Sequence, residues 1–101
     1  MGFRIYATSN EKTYNVNKQQ DNFIKDDEWN EIIAGLLGPE YDYWNVWNES
    51  NNLSNEGIHF LYVQLTLVEE AKKATVDKHL YQCVMKFLKD ACENGCYLKS
   101  F

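Results

Sequence analysis

The most regular pattern in the chain is DDEWNEIIAGLLGP, residues 26–39. Asp26 or Asp27 can cap a helix that starts here, and acidic side chains in a first turn suit the positive end of the helix dipole. Gly38 and Pro39 follow in the order that commonly ends helices. The pattern therefore predicts a helix over residues 26–37. Its apolar residues recur at three- and four-residue spacings and form one buried stripe: Trp29, Ile32, Ile33, Leu36 and Leu37.

Both ends of the chain show the alternation that is typical of strands. Residues 2–8 alternate as in a half-buried strand, residues 9–12 have the composition of a turn, and residues 13–16 predict a strand that returns to form a hairpin. Residues 17–21 form a polar connection. Residues 96–101 alternate again and predict an edge strand that extends this hairpin.

Two further helices are predicted, over residues 57–73 and 76–94. The run 58–68 is almost continuously apolar, so a strand over 58–67 is the alternative, but helical spacing and the helix formers of 69–73 favour a helix. Thr75 and Gly95 are the expected cap and stop of the last helix. Two apolar stripes predict burial on two sides of it, against the sheet and another helix or a second subunit: Leu80, Cys83, Val84, Phe87, Leu88 and Ala91, then Tyr81, Met85 and Cys92.

The expected fold class is α+β, with a small antiparallel sheet packed on about three helices. The 101 residues form a single domain, 1–101. A hydrophobic fraction of 45% and a charged fraction of 25% exclude a disordered or collagen-like chain. No apolar run approaches the roughly 20 residues of a membrane-spanning helix, and three clustered cysteines suit a reducing compartment. We therefore expect a cytoplasmic protein without a membrane partner.

No catalytic or metal chemistry is predicted. His79 and Cys83 are one helical turn apart, but Cys83 falls on the apolar stripe, where burial would hinder a nucleophile. Cys83 and Cys92 are half a turn out of phase on one helix, so they cannot share a zinc ion. Glycines do not cluster into a phosphate loop, and the ten basic residues form no stripe. The sequence therefore predicts neither an enzyme, nor a cofactor, nor a nucleic-acid partner.

Residues 26–57 carry the whole charge asymmetry of a chain whose net charge is −5. They contain all three tryptophans and no lysine or arginine. Residues 39–57 are predicted as an unusually long connection, with a short strand over residues 43–47 as the alternative for part of it. The acidic residues of the segment are Asp26, Asp27, Glu28, Glu31, Glu40, Asp42, Glu49 and Glu56.

This segment predicts a protein-binding surface. Aromatic side chains provide anchors with a large contact area, and acidic side chains steer the approach of a basic partner. The competing interpretation places Trp29 and one or two of the other aromatics in the core. The residues predicted to bind a partner are Glu40, Tyr41, Asp42, Tyr43, Trp44, Trp47 and Glu49.

The function that fits these features is that of a small acidic inhibitor. The favoured hypothesis is an immunity or antitoxin protein that neutralises a bacterial toxin by occupying a basic functional cleft. The alternative is a phage-encoded inhibitor of a host defence protein, of the anti-CRISPR kind. A further alternative is a small-ligand module or enzyme with an aromatic pocket, and a last one is a subunit that forms a homodimer through its wide apolar helix.

Overall fold

The computed structural model describes residues 3–8, 23–47 and 52–100. Their strands form one antiparallel sheet, and helices pack on it, which confirms the predicted α+β class. The strands are β1 (Arg4–Thr8), β2 (Phe23–Lys25), β3 (Asn52–Leu53) and β4 (Tyr97–Ser100), in the order β2-β1-β4-β3. The helices are α1 (residues 26–37), α2 (Tyr43–Trp47), α3 (Asn55–Leu67), α4 (Glu70–Lys73) and α5 (Lys78–Glu93).

The C-terminal strand lies inside the sheet, so the prediction of an edge strand was wrong. β4 pairs with β1 on one side, where Leu98 faces Ala7, and with β3 on the other, where Leu98 faces Leu53. β3 is only two residues long and gave no alternation that could reveal it. The described partner of β1 in the hairpin is β2, while the turn, the strand and the connection predicted over residues 9–21 lie outside the described residues.

β1 is buried on both faces rather than half-buried. Ile5 and Ala7 belong to the main core. Tyr6 and Thr8, on the other face, are buried as well, and the Tyr6 ring lies 5.5 Å from the Phe23 ring. The sequence alternation in β1 therefore separates two buried faces instead of a buried face and a solvated one.

Helix α1 confirms the prediction for residues 26–37, with Gly38 at φ 124° as its stop. Its middle turn, Asn30–Ala34, is π-helical. The start differs slightly, because the capping residue is Lys25, whose backbone N–H donates to Glu28 Oε1 at 2.9 Å. The carboxylate of Asp27 accepts from the Glu28 N–H at 2.9 Å, within the first turn.

Residues 43–47 form helix α2, so the alternative of a short strand was wrong. Pro39–Tyr41 form a 3-10 turn, and Asp42 Oδ1 then accepts from the backbone N–H of Asn45 at 2.8 Å. This bond satisfies an N–H group at the start of the helix. In a helix, residues 43 and 47 share one side and residue 44 faces another.

The C-terminal helices follow the prediction with two corrections. The helix predicted over 57–73 is divided at Val68, whose backbone is extended at ψ 140°, into α3 and α4. Asp77 caps α5 instead of Thr75, and its Oδ1 accepts from the Leu80 N–H at 2.9 Å. α5 packs against both α3 and the sheet, as its two stripes predicted, and Gly95 ends it at φ 67°.

Candidate functional site

Three aromatic rings meet where β1 begins and α2 lies beside it. The Phe3 ring stacks on Tyr43, with centroids 5.3 Å apart and planes 20° apart. The Trp44 ring stands edge-on to both, at 5.4 Å from Phe3 and 5.3 Å from Tyr43. Trp44 is 60% exposed and Phe3 36%, while Tyr43 is buried. We call Phe3 and Trp44, with the Tyr43 ring that both contact, the aromatic patch.

Hydrogen bonds from two elements, α1 and β4, hold the residues that form this patch. Asn30 Oδ1, in the π-helical turn of α1, accepts from the Tyr43 N–H at 2.6 Å. The Tyr43 hydroxyl hydrogen-bonds to Ser100 Oγ in β4, and the Phe3 carbonyl accepts from the Asp26 N–H at 3.0 Å. π-Helical turns are frequent at functional sites. Here the turn supplies a bond that holds the exposed rings in place, which lowers the entropy that a partner would have to remove.

Acidic residues adjoin the segments that carry the aromatic patch. Asp42 directly precedes Tyr43, Glu31 directly follows Asn30, and Asp26 contacts the Phe3 backbone. Among the described residues, the only ion pair joins Lys73 to Glu70, at 3.3 Å on α4. Asp26, Glu31 and Asp42 therefore form no ion pair within that part of the chain, although the exposed Lys25 directly precedes Asp26.

Arg4 is the basic residue next to the patch in sequence. Its guanidinium lies over the Phe23 ring, 5.1 Å from the centroid. A cation over an aromatic face is attracted to the ring. The Arg4 charge is thus engaged with β2 rather than paired with the acids of α1 and α2.

The seven residues predicted to bind a partner differ in how exposed they are in the structure. Trp47 is 6% exposed and its ring lies edge-on to Trp29 at 5.5 Å, so it is a core residue and not the surface anchor that we predicted. Tyr43 is buried too, and contributes to the patch only as its support. Trp44 and Glu40 are exposed. Of the rest, Tyr41 and Asp42 are half-buried, and Glu49 lies outside the described residues.

Trp29 is fully buried, as predicted, and its Nε1 donates to the Tyr41 carbonyl at 2.8 Å. That bond ties the 3-10 turn before α2 to α1. Phe3 is the member of the patch that sequence reasoning missed. Its alternation with Ile5 and Ala7 suggested a buried residue, and no local pattern marked it as lying at the open end of the strand.

Two cysteine–histidine pairs lie elsewhere, and the cysteine of each pair lines a cavity. Cys83 is exposed, which corrects the expectation that it is buried, and its Sγ lies 3.6 Å from His79 Nε2 at a cavity of about 270 Å³. Cys92 Sγ lies 3.9 Å from His59 Nδ1 at a cavity of about 220 Å³. Burial raises the pKa of the remaining thiol, Cys96.

These features do not combine into a metal site or an aromatic pocket. Within residues 3–8, 23–47 and 52–100, no group of three or more His, Cys, Asp or Glu side chains is placed to hold a metal ion. A third cavity, of about 450 Å³, lies between α4 and α5 beside Tyr81. None of these three cavities is lined by Tyr41, Tyr43, Trp44 or Trp47.

No protein-family model, curated protein or solved structure matches this chain, so no relative contributes a functional residue. Among the described helices, none combines the length and the apolar character that crossing a membrane requires.

Proposed function

We propose that this chain is a small protein-binding inhibitor that covers a basic functional cleft of a toxin, as an immunity or antitoxin protein does. The observation that carries the proposal is the exposed and ordered side chain of Trp44. It presents a large ring to solvent, held by contacts with Phe3 and Tyr43, and the acids next to these segments form no ion pair with another described residue. Exposed aromatic residues that are already ordered are the usual energetic anchors of protein interfaces.

The acids around the patch indicate the kind of cleft that it suits. Proteins that handle nucleic acids line their clefts with Lys and Arg, which contact phosphates, and with aromatic rings, on which bases stack. Carboxylates such as those of Glu40 and Asp42 can take the place of phosphates, and the Trp44 ring can take the place of a base. We therefore infer a toxin whose substrate is a nucleic acid. A phage-encoded inhibitor of a host nuclease would use the same chemistry.

If a large reading frame lies directly upstream, coexpression with its product tests the proposal, and nuclease toxins serve as the test partners otherwise. Wild-type protein should restore growth to cells that express that product. Trp44→Ala should lose the protection, and its affinity for the purified product should fall by at least about 2 kcal/mol, or about thirty-fold. Gln82→Ala is the control, because it shortens an exposed side chain on another helix, α5, outside the aromatic patch. It should protect like wild type.

Three outcomes separate the alternatives. A folded Trp44→Ala variant that still protects and binds with unchanged affinity would contradict a role for the patch. An upstream product that is neither toxic nor bound would contradict the toxin partner. Inhibition of a host nuclease by the wild type, lost in Trp44→Ala, would instead support the phage-encoded inhibitor.

A further inference from the structure

Helix α3 has an apolar side that faces solvent, opposite the side that enters the core. Ile58, Leu61 and Leu65 point inward and are buried. At 100° per residue, three other apolar residues lie on the opposite side: Phe60, Val63 and Leu67. Phe60 is 50% exposed, Leu67 is 72% exposed and Val63 is partly exposed. We call these three residues the α3 seam.

The spacing of the α3 seam is that of a helix–helix contact. Its residues are separated by three and then four positions, which is the two-per-heptad spacing at which one helix packs along another. The seam follows the axis of a 13-residue helix, which is about 20 Å long. A second helix of similar length fits such a narrow, straight stripe better than a small ligand would.

We propose that the α3 seam is the contact surface for a second copy of this chain, with the two α3 helices packed antiparallel. The charge of α3 permits this occupant. Two copies that each carry a net charge of −5 repel each other, and a two-fold contact brings the same surface of both copies together. Within α3, Glu56 is the single acid and there is no Lys or Arg, so this helix can approach its own copy with little repulsion.

An antiparallel pair matches large and small residues along the seam. With the two-fold axis beside Val63, Phe60 of one copy faces Leu67 of the other, and the same contact is repeated on the far side of the axis. Glu56 then meets the C-terminal end of the partner helix. At that end Lys73 Nζ donates to the Thr66 carbonyl at 3.0 Å. Lys73 is also paired with Glu70 at 3.3 Å, and Glu69 lies beside them in sequence, so this end adds no net charge attraction and the apolar residues of the seam carry the contact.

The contact area predicts a weak dimer. Stable interfaces bury at least about 1,200 Å² in total, and one pair of short helices provides less. The dimer should therefore depend on concentration instead of being permanent. This inference does not depend on the aromatic patch, which lies on α2 and β1, and it stands or falls separately from the proposed inhibitor function.

Sedimentation equilibrium between about 10 µM and about 1 mM tests the dimer. Reductant is kept present, so that the exposed Cys83 cannot cross-link the chains. The wild-type average mass should rise with concentration from the monomer value of 11.9 kDa. A Phe60→Gln, Leu67→Gln double variant should weaken the dimer at least ten-fold, with circular dichroism confirming that it is folded. Trp44→Gln should dimerise like wild type.

Cross-linking tests the antiparallel arrangement. In a background with all three cysteines changed to Ser, a Phe60→Cys chain and a Leu67→Cys chain are mixed and oxidised. Disulfides should form between the two different chains in preference to pairs of either chain alone. Preferential pairing within each single variant would contradict the antiparallel arrangement. A wild type that stays at 11.9 kDa over the whole range, or a double variant that dimerises like wild type, would overturn the proposal.

Discussion

Within the part of the chain that the structure describes, two exposed apolar surfaces differ mainly in the charge near them. The segments that hold the aromatic patch also carry Asp26, Glu31 and Asp42, whereas the α3 seam shares its helix with a single acid. The acidic surroundings oppose contact between two copies of the aromatic patch but attract a basic protein. The nearly uncharged seam neither strongly repels a second copy nor attracts a basic protein. Exposed apolar area alone would have left these two surfaces indistinguishable.

The two surfaces also differ in what holds them in place. The α3 seam lies on a long helix that is capped at its start by Ser54, whose Oγ accepts from the Gly57 N–H at 3.1 Å. The aromatic patch depends on α2, which has only five residues. Helices this short are not stable alone. The patch should therefore depend on the buried contacts of α2, chiefly those of Trp47.

The largest expected effect is that of Trp47→Ala, which should disrupt the aromatic patch and leave the α3 seam intact. Trp47→Ala removes a buried ring that packs on Trp29, and should lower the free energy of unfolding by about 3–5 kcal/mol. Trp44→Ala, three residues earlier and exposed, should lower it by less than about 1 kcal/mol. Urea unfolding of both variants provides the comparison. Equal losses would show that Trp44 is also a structural residue, and would remove it as a free anchor.

The same pair of tryptophans shows how far the sequence could predict the site. The strand and helix interpretations of residues 43–47 both place Tyr43 and Trp47 on one side and Trp44 on the other. The segment was too short to distinguish the two periods. Which side faces the core depends on α1, through Trp29 and Asn30, and that contact between distant segments leaves no local pattern. The sequence therefore identified the segment but not which of its tryptophans is exposed.

The fold was predictable where elements are long. Helices α1, α3 and α5 have enough turns for their apolar spacing to stand out, and their existence was predicted correctly. β2 and β3 have three and two residues, too few for an alternation. Cys83 was misplaced because it lies at the margin of the α5 stripe, where a small rotation of the helix decides between burial and exposure.

A smaller effect is expected when acidic residues near the aromatic patch are replaced. Glu40→Lys combined with Asp42→Asn removes two acids from the turn that leads into α2, while Asn at position 42 retains an oxygen that can accept from the Asn45 N–H. Association with the basic partner should slow about ten-fold at low salt, since steering of this kind raises rates by one to three orders of magnitude. Stopped-flow binding at several salt concentrations measures it. Rates that are equal to wild type at every salt concentration would contradict electrostatic steering.

Salt should strengthen self-association through the α3 seam, whereas it should weaken binding of the basic partner. The attraction between the patch and a basic partner weakens as salt screens it, with a Debye length of about 10 Å at 0.1 M. Self-association instead has to overcome the repulsion between two chains of net charge −5. Salt screens this repulsion, so self-association should become about two- to three-fold stronger between low and moderate salt. Sedimentation equilibrium in both buffers reveals the sign. A dimer that weakens with salt would indicate a charged contact somewhere other than the seam.

The smallest effect concerns the cysteines, which lie on neither surface. Changing Cys83, Cys92 and Cys96 together to Ser should leave partner affinity and self-association within about two-fold of wild type, since none contributes to the patch or the seam. Isothermal titration with the partner and sedimentation equilibrium check this. A large loss of partner affinity or of self-association would show that a cysteine contributes to it.

Cys96 should nevertheless leave a trace in the pH dependence of stability. Burial raises its thiol pKa above the ordinary value of 9.0. Between 9.0 and that raised pKa, the unfolded chain releases the proton while the folded chain retains it. The free energy of unfolding therefore falls as pH rises through this range, and is unaffected by this group below it. Lysines and tyrosines also titrate there, so the quantity to measure is the difference between wild type and Cys96→Ser. Urea unfolding at pH 7 and at about pH 10 should give a slightly shallower decline for the variant. An identical decline would mean that solvent reaches Cys96 in the folded chain as readily as in the unfolded one.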